Sequence, residues 1–443
     1  MAMEYWALVM FVVAIGLLLI GFPVAFTLGM VAAVFGVIFL GLQEFQLLPM
    51  RVWGVMTNFT LLAVPLFVFM GLMLEKSGIA EELLETMARL FGRLRGGLAV
   101  SIIAVGALLA ATTGVVGATV VTMGIIALPA MLKHGYDKGL SSGTIAASGT
   151  LGQIIPPSII LILLGDVVGV PVGDLFAAAV VPGLVLVVAF MVYVLIIAYL
   201  KPQLAPAMQM SAEDRAEPIA MRVLKSLVPP LLLVFAVLGS IFFGIASPTE
   251  SAAVGALGAA LLAAMHGRLN LKNVREAAQQ TTRLTSMVFM ILIGATAFGL
   301  VFRSMGGDLV VEDVMLSLPG EEWGFIVVSM LLIFVLGFFL DFLEICFIVV
   351  PILAPIAEMM DISLLWFAIL IAMNLQTSFL TPPFGFSLFY LKATAPPEVR
   401  IQHIYRGVIP FVIIQMVVLA ILIFFPEIVQ WLPDLMNEIK DAG

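Results

Sequence analysis

Two stretches, GTLGQIIPPSIILILLGD at 149–166 and TSFLTPPFGFSLFYLK at 377–392, each place a double proline inside an otherwise apolar run. Proline lacks an amide hydrogen and its ring clashes with the preceding turn, so Pro156-Pro157 and Pro382-Pro383 each break a helix. A broken helix leaves carbonyls without intrahelical partners. In hydrocarbon such carbonyls are tolerated only where they are buried in protein or line a cavity. Hydrocarbon is the solvent the rest of the chain demands. Of its 443 residues 63% are hydrophobic and 11% charged, with mean hydropathy +1.20. No soluble domain hides that much apolar surface, so the expected fold is an all-α polytopic membrane protein.

The proline pairs stand 226 positions apart, as do Pro129 and Pro355, while Gly71 and Gly299 differ by 228. A polar connector, 201–226, divides two halves with the same order of segments. Scaffold spans fill 1–74, with runs at 5–21, 22–41 and about 60–74. An amphipathic arm follows at 75–95, its apolar face carrying Leu83, Leu84, Met87, Leu90 and Leu94, and is expected on the membrane surface. Residues 96–132 hold no charge, yet two spans and a turn need more than ~40 residues, so a re-entrant hairpin fits. That hairpin, the broken span and a helix at 174–200 form one unit, 96–200. The second half repeats this: scaffold at 227–302, arm at 303–322, then 323–425 with its own hairpin (323–357), broken span and final helix. A tail, 426–443, ends the chain.

With the N-terminus placed outside, seventeen of the twenty lysines and arginines fall on inner segments. The remaining three are Arg51, Arg303 and Lys440, and carboxylates run the other way. The positive-inside rule then sets the first arm inside and the second outside, so the halves are inverted-topology repeats with both termini outside. The single cysteine, Cys346, excludes an internal disulfide, and the formal charge of −8 argues against nucleic acid. No GxxxxGK[ST] nucleotide loop is present.

Paired interruptions at matching positions of two halves are the pattern in which membrane transporters build a binding site. The first hairpin's tip offers Thr112, Thr113, Gly114, Gly117 and Thr119, and the nearby break offers Gly149, Thr150, Gln153, Pro156 and Ser158. The second tip offers Asp341 and Glu344, and its break offers Asn374, Gln376, Thr377, Ser378, Thr381, Pro382, Gly385 and Ser387. Hydroxyls, freed carbonyls and a carboxylate suit a hard cation, and half-helix N-termini suit a carboxylate. The sodium set is therefore Thr112, Thr113, Gly114, Gly149, Thr150, Pro156, Asp341, Thr377, Ser378, Thr381 and Pro382. The substrate set is Thr113, Gly117, Thr119, Gln153, Ser158, Asn374 and Gly385. Other readings stay open: prolines as ordinary kinks, Asp341 and Glu344 in an inner loop between full spans, and tip threonines bonded within their helix. Arg303 is either a site-edge anion contact or a salt-bridge partner of Asp308 or Glu312.

The run TTGVVGATVVTMG, with LPAML, GYDKGL, AASGTLGQIIPPSIILILLGD and LTPPFGFSLF, resembles the large membrane subunit of tripartite ATP-independent periplasmic (TRAP) transporters, the DctM type. The resemblance covers nearly the whole chain. It implies a sodium symporter of the bacterial inner membrane, importing a small organic anion by an elevator motion of hairpins and broken helices. It implies two partners, a small four-helix DctQ-type subunit and a periplasmic DctP-type binding protein, and no cofactor beyond Na⁺. The TTGVVGAT tip, where many members carry a serine, resembles the branch for 2-oxo acids and related monocarboxylates; a C4-dicarboxylate is the other expected class. The competing functional classes are a stand-alone anion transporter or exchanger, a channel, and an intramembrane enzyme, for which a GxGD-like element is missing.

Overall fold

The structure, a computed structural model, describes residues 3–113, 116–208, 219–383 and 385–442; the side chains of 44, 112, 113, 219, 220 and 439–442 are not described. Among the described residues every regular element is helical. The chain is an all-α polytopic membrane protein. Seven of these helices are long and apolar enough to cross a bilayer, or eight if one bent pair counts as a span.

In the first half, α1 (Met3–Ile20) and α2 (Val24–Phe39) are parted at Gly21, whose φ of +99° only glycine adopts without strain, and at Pro23. A short helix α3 (Leu48–Met56) leads through a 53° bend into α4 (Ala63–Lys76). The arm is α5 (Ile79–Phe91); the first hairpin is α6 (Gly97–Thr113) and α7 (Val116–Lys133). The broken span is α8 (Lys138–Thr150), a 3₁₀ turn at Leu151–Gln153, and α9 (Ile159–Val168), followed by α10 (Val172–Leu200).

The second half opens on α11 (Ile219–Ser226), α12 (Val228–Phe242), α13 (Pro248–Met265) and the long α14 (Leu271–Ser304). Its arm is α15 (Gly307–Leu316). Its hairpin is α16 (Glu322–Leu336) and a second limb made of α17 (Phe342–Glu344), a π turn at Ile345–Val349, and α18 (Val350–Met359). Then come α19 (Leu364–Leu380), α20 (Phe386–Thr394), α21 (Ile401–Phe424) and, in the tail, α22 (Glu427–Ala442). Corresponding helices start in register: Lys138 and Leu364 are 226 apart, as are Val116 and Phe342. Both Pro-Pro bonds are cis.

Helix pairing follows the same exchange. α4 packs on α13 and α14 on α2; α8 packs on α21 and α10 on α19. Each half-helix after a break lies on the other half's hairpin, α20 on α7 and α9 on α18. Lipid is as apolar as leucine, so such contacts depend on close packing rather than on hydrophobic burial. At the α8–α21 crossing a Cβ on Gly143 would sit 3.1 Å from the Gly407 Cα, with the Gly407 carbonyl nearer still. The broken helices occupy the centre: Leu140–Thr150 and Trp366–Leu380 are buried throughout.

Ion pairs mark one side of the molecule. Lys76 at the end of α4 meets Glu276 in the first turns of α14 at 2.7 Å, Arg222 meets Glu85 at 2.8 Å, and His266 lies 3.3 Å from Glu82. Such pairs contribute only about 0–1 kcal/mol each, so their value is in showing which ends share a side. At the other side Asn58 donates to Asp166, and the Thr249 hydroxyl donates to the Phe59 carbonyl at 2.9 Å. The arm α5 is amphipathic, but Ile79, Leu83 and Met87 are buried, and the helix packs on α6 and α11. Of the apolar stripe, Leu90 near the end of α5 and Leu94 just beyond it are exposed.

Candidate functional site

The first break starts where Thr150 ends α8. Its hydroxyl donates to the Ala147 carbonyl at 2.8 Å, and the Gln415 amide of α21 donates to the Thr150 hydroxyl at 3.4 Å. The Ser158 hydroxyl closes the loop onto the Gln153 carbonyl at 2.8 Å. Gly149, Thr150, Gln153, Pro156 and Ser158 are all buried. Hairpin one lies directly against this segment. A Cβ on Gly152 would stand 3.6 Å from Ala110, and one on Gly106 would stand 2.6 Å from the Ser148 Cβ. The second half of α6 thus lies level with the break, and α9 continues beyond the break for about 15 Å.

At the second break, hydroxyls again bond back into the helix: Thr377 to Met373 at 2.9 Å, Ser378 to Leu375 at 2.9 Å, Thr381 to Thr377 at 2.7 Å. A hydroxyl that donates in this way keeps its lone pairs free for a cation. Asn374 donates to the Met330 carbonyl of hairpin two at 2.6 Å. Phe342 of hairpin two, Phe379 and Phe386 pack in sequence with ring centroids 6.5 and 5.1 Å apart, joining the hairpin to both sides of the break. Thr381 and Pro382 are half-buried and Gly385 is buried. The second break is the more open of the two.

Asp341 sits at the start of hairpin two's second limb. Its Oδ1 accepts from the Phe342 amide at 2.7 Å, while the Glu344 Oε2 accepts from the Asp341 amide at 3.0 Å. The two carboxylates thus cap one helix end together, a local arrangement that satisfies orphan backbone donors. Tyr390 of α20 lies on hairpin one: its ring would be 3.2 Å from a Cβ on Gly117 in α7. Thr119, two residues further along α7, is buried. Gly114 lies outside the described residues; Thr112 and Thr113 end α6 without described side chains. Arg303 makes no ion pair with Asp308 or Glu312. It donates instead to the Pro351 carbonyl at 3.3 Å.

Several buried polar atoms have no partner among the described residues. They include both amide atoms of Gln153, both of Gln376, the Gln415 Oε1 and the Ser387 hydroxyl. An orphan buried amide costs on the order of 1–3 kcal/mol, so two glutamines with both amide atoms unpartnered, one preceding each break, call for a ligand or water. Gln415 and Tyr390 were not singled out from the sequence. A lone amide within FVIIQMVVLA is the signal that points to the first, whereas nothing local distinguishes Tyr390 from an interfacial aromatic.

A helical membrane protein that buries unpartnered amides where two interrupted spans meet two folded-back hairpins has the architecture of a transport protein. Residues 11–428 match the family model described as Tripartite ATP-independent periplasmic transporter, DctM component. The chain belongs to this family of transport permeases. It is 30% identical to the sialic acid TRAP transporter large permease protein SiaM of Vibrio cholerae, over 95% of this chain and 97% of that protein. It is also 30% identical to the C4-dicarboxylate permease DctM of Pseudomonas aeruginosa, with 87% and 89% covered. The ectoine permease TeaC of Halomonas elongata is again 30% identical, with 96% and 99% covered. The fold is similar to the crystal structure of the Alcanivorax borkumensis YdaH transporter, with TM-score 0.62, 16% identity, and 94% and 99% of the two chains covered. Its relatives transport rather than catalyse, and the chain is not an enzyme.

Proposed function

We propose that this chain is the membrane-embedded transport subunit of a sodium-coupled, binding-protein-dependent importer of a small organic anion. The substrate is a C4-dicarboxylate or a 2-oxo or hydroxy monocarboxylate. The observation that carries the reading is the pair of orphan amides, Gln153 and Gln376, one beside each proline break. Polar atoms in that position suit a ligand that arrives and leaves. Sodium is held by hydroxyl and carbonyl oxygens of Thr112, Thr113, Gly114, Gly149, Thr150 and Pro156 on one side, and of Thr377, Ser378, Thr381 and Pro382 with Asp341 on the other. Substrate lies between the tips, near Thr113, Gly117, Thr119, Gln153, Ser158, Asn374 and Gly385. Sialic acid, C4-dicarboxylates and ectoine, named for three relatives, all bear a carboxylate.

Inverted repeats support an elevator. α4 ends on the side where its counterpart α14 begins, as the Lys76–Glu276 pair records. Exchanged packing of α20 on α7 and α9 on α18 ties hairpins and broken helices into one body beside the scaffold helices. The positive-inside count places the ion-paired side in the cytoplasm and both termini in the periplasm of a bacterial inner membrane. A small DctQ-type subunit and a periplasmic DctP-type binding protein complete the transporter.

The test is uptake into proteoliposomes containing both membrane subunits, with the binding protein loaded with the carboxylate found on it. Uptake is expected to require both an inward sodium gradient and the binding protein. Asp341→Asn, which keeps a capping side chain but removes the charge, is expected to weaken sodium dependence about tenfold, the equivalent of ~1.4 kcal/mol. Uptake undiminished without sodium would end the coupling claim, and uptake without the binding protein would establish a receptor-independent carrier.

A further inference from the structure

A cavity of about 480 Å³ opens between the scaffold and the central body on the side away from the ion-paired ends. Its wall brings together Arg51 from α3, Asn58, Asp166 from α9, and Thr296 and Arg303 from α14, with the hairpin-two Pro351 opposite. The volume falls within the roughly 300–1,000 Å³ of small-molecule sites. Arg51 and Arg303 are two of the only three basic residues on that side of the charge count. Among the described residues no carboxylate lies within ion-pair distance of either guanidinium, and Arg303 is directed by its contact with the Pro351 carbonyl at 3.3 Å. The cavity's single carboxylate, Asp166, is engaged by the Asn58 amide. Two guanidinium groups against one occupied carboxylate leave the cavity net positive, and low-dielectric walls concentrate that field.

We propose that this cavity is a carboxylate-binding vestibule, a station distinct from the hairpin-and-break centre, where Arg51 and Arg303 receive a small organic anion before it moves inward. Guanidinium groups suit the task because their planar forks match a carboxylate with two parallel hydrogen bonds. Only the identity of the anion as an organic carboxylate rests on the proposed function.

The experiment uses the full-length protein in lipid nanodiscs. Gly299 and Gly54 line the cavity, and a Cβ at either position meets nothing within 4 Å, so each accepts a cysteine reporter. The native Cys346 is fully buried and serves as background. After correction for reaction with a free thiol, an anionic methanethiosulfonate reagent is expected to modify Gly299→Cys about tenfold faster than a cationic one. Arg51→Gln with Arg303→Gln is expected to bring the ratio to parity, and the Lys pair to retain it. Sodium succinate or sodium lactate is expected to slow the anionic reagent more than sodium chloride of equal ionic strength. A ratio unaffected by the double Gln variant, protection no better than chloride, or unreactive cysteines at both positions would each overturn the vestibule. No arm requires a sodium gradient, a binding protein or uptake. Failure here leaves the transport reading standing, and failed uptake with an intact ratio counts against transport alone.

Discussion

Gln153 and Gln376 place four amide atoms in the protein interior with no partner among the described residues. If these atoms are present only to meet a ligand that arrives and leaves, removing them stabilises the empty protein or leaves it unchanged. Gln153→Met and Gln376→Met are each expected to unfold in sodium-free detergent at or above the parent's midpoint, since an unsatisfied amide costs about 1–3 kcal/mol. The rise in that midpoint on adding the transported carboxylate together with sodium is expected to shrink in both. A variant still fully stabilised by the two ligands together would show the amides to be bystanders. Asp341 differs in kind: it has a local task as a helix cap, so its substitution by Ala confounds folding with function, which is why Asn is the informative replacement.

Among the helices, the crossing of α8 and α21 sets the tightest constraint. Gly143 and Gly139 face Gly407 with backbone against backbone, so an added methyl has no flexible side chain to displace. Gly143→Ala and Gly407→Ala are each expected to lower stability by about 1–3 kcal/mol, read as a fall in the thermal midpoint in detergent. Gly16→Ala and Gly29→Ala, where a Cβ meets open space, provide the neutral comparison. Equal effects at crossing and control sites would mean that helix approach is not what these glycines supply. The arm α5 carries a second lesson: its apolar stripe reads from sequence as a membrane-surface face, yet α6 and α11 cover most of it.

Across the whole molecule, the Asn58–Asp166 hydrogen bond is one polar contact that bridges the scaffold and the central body. An elevator has to separate this pair in each cycle. A double variant, Asn58→Cys with Asp166→Cys, joined by a short bifunctional thiol reagent, is expected to lose uptake and to recover it on reduction. Uptake that persists through complete cross-linking would rule out relative motion of the two bodies at this point.

Sequence alone determined the features that depend on local chemistry. Proline pairs broke α8 from α9 and α19 from α20 because two adjacent prolines remove two amide donors and crowd the preceding turn, whereas single prolines such as Pro182 and Pro410 stay within continuous helices. Span lengths and the asymmetric placement of lysine and arginine separated Lys76 and Arg222 from Arg51 and Arg303, because bilayer thickness and charge cost act on each segment separately. Partner choice was decided only in the tertiary structure. Helix faces in lipid are similarly apolar, so hydropathy carries no information on which of them meet. That Gln415 reaches Thr150 across 265 positions, that Tyr390 lies against Gly117, and that Arg303 turns to Pro351 follow from the interlocking of two halves.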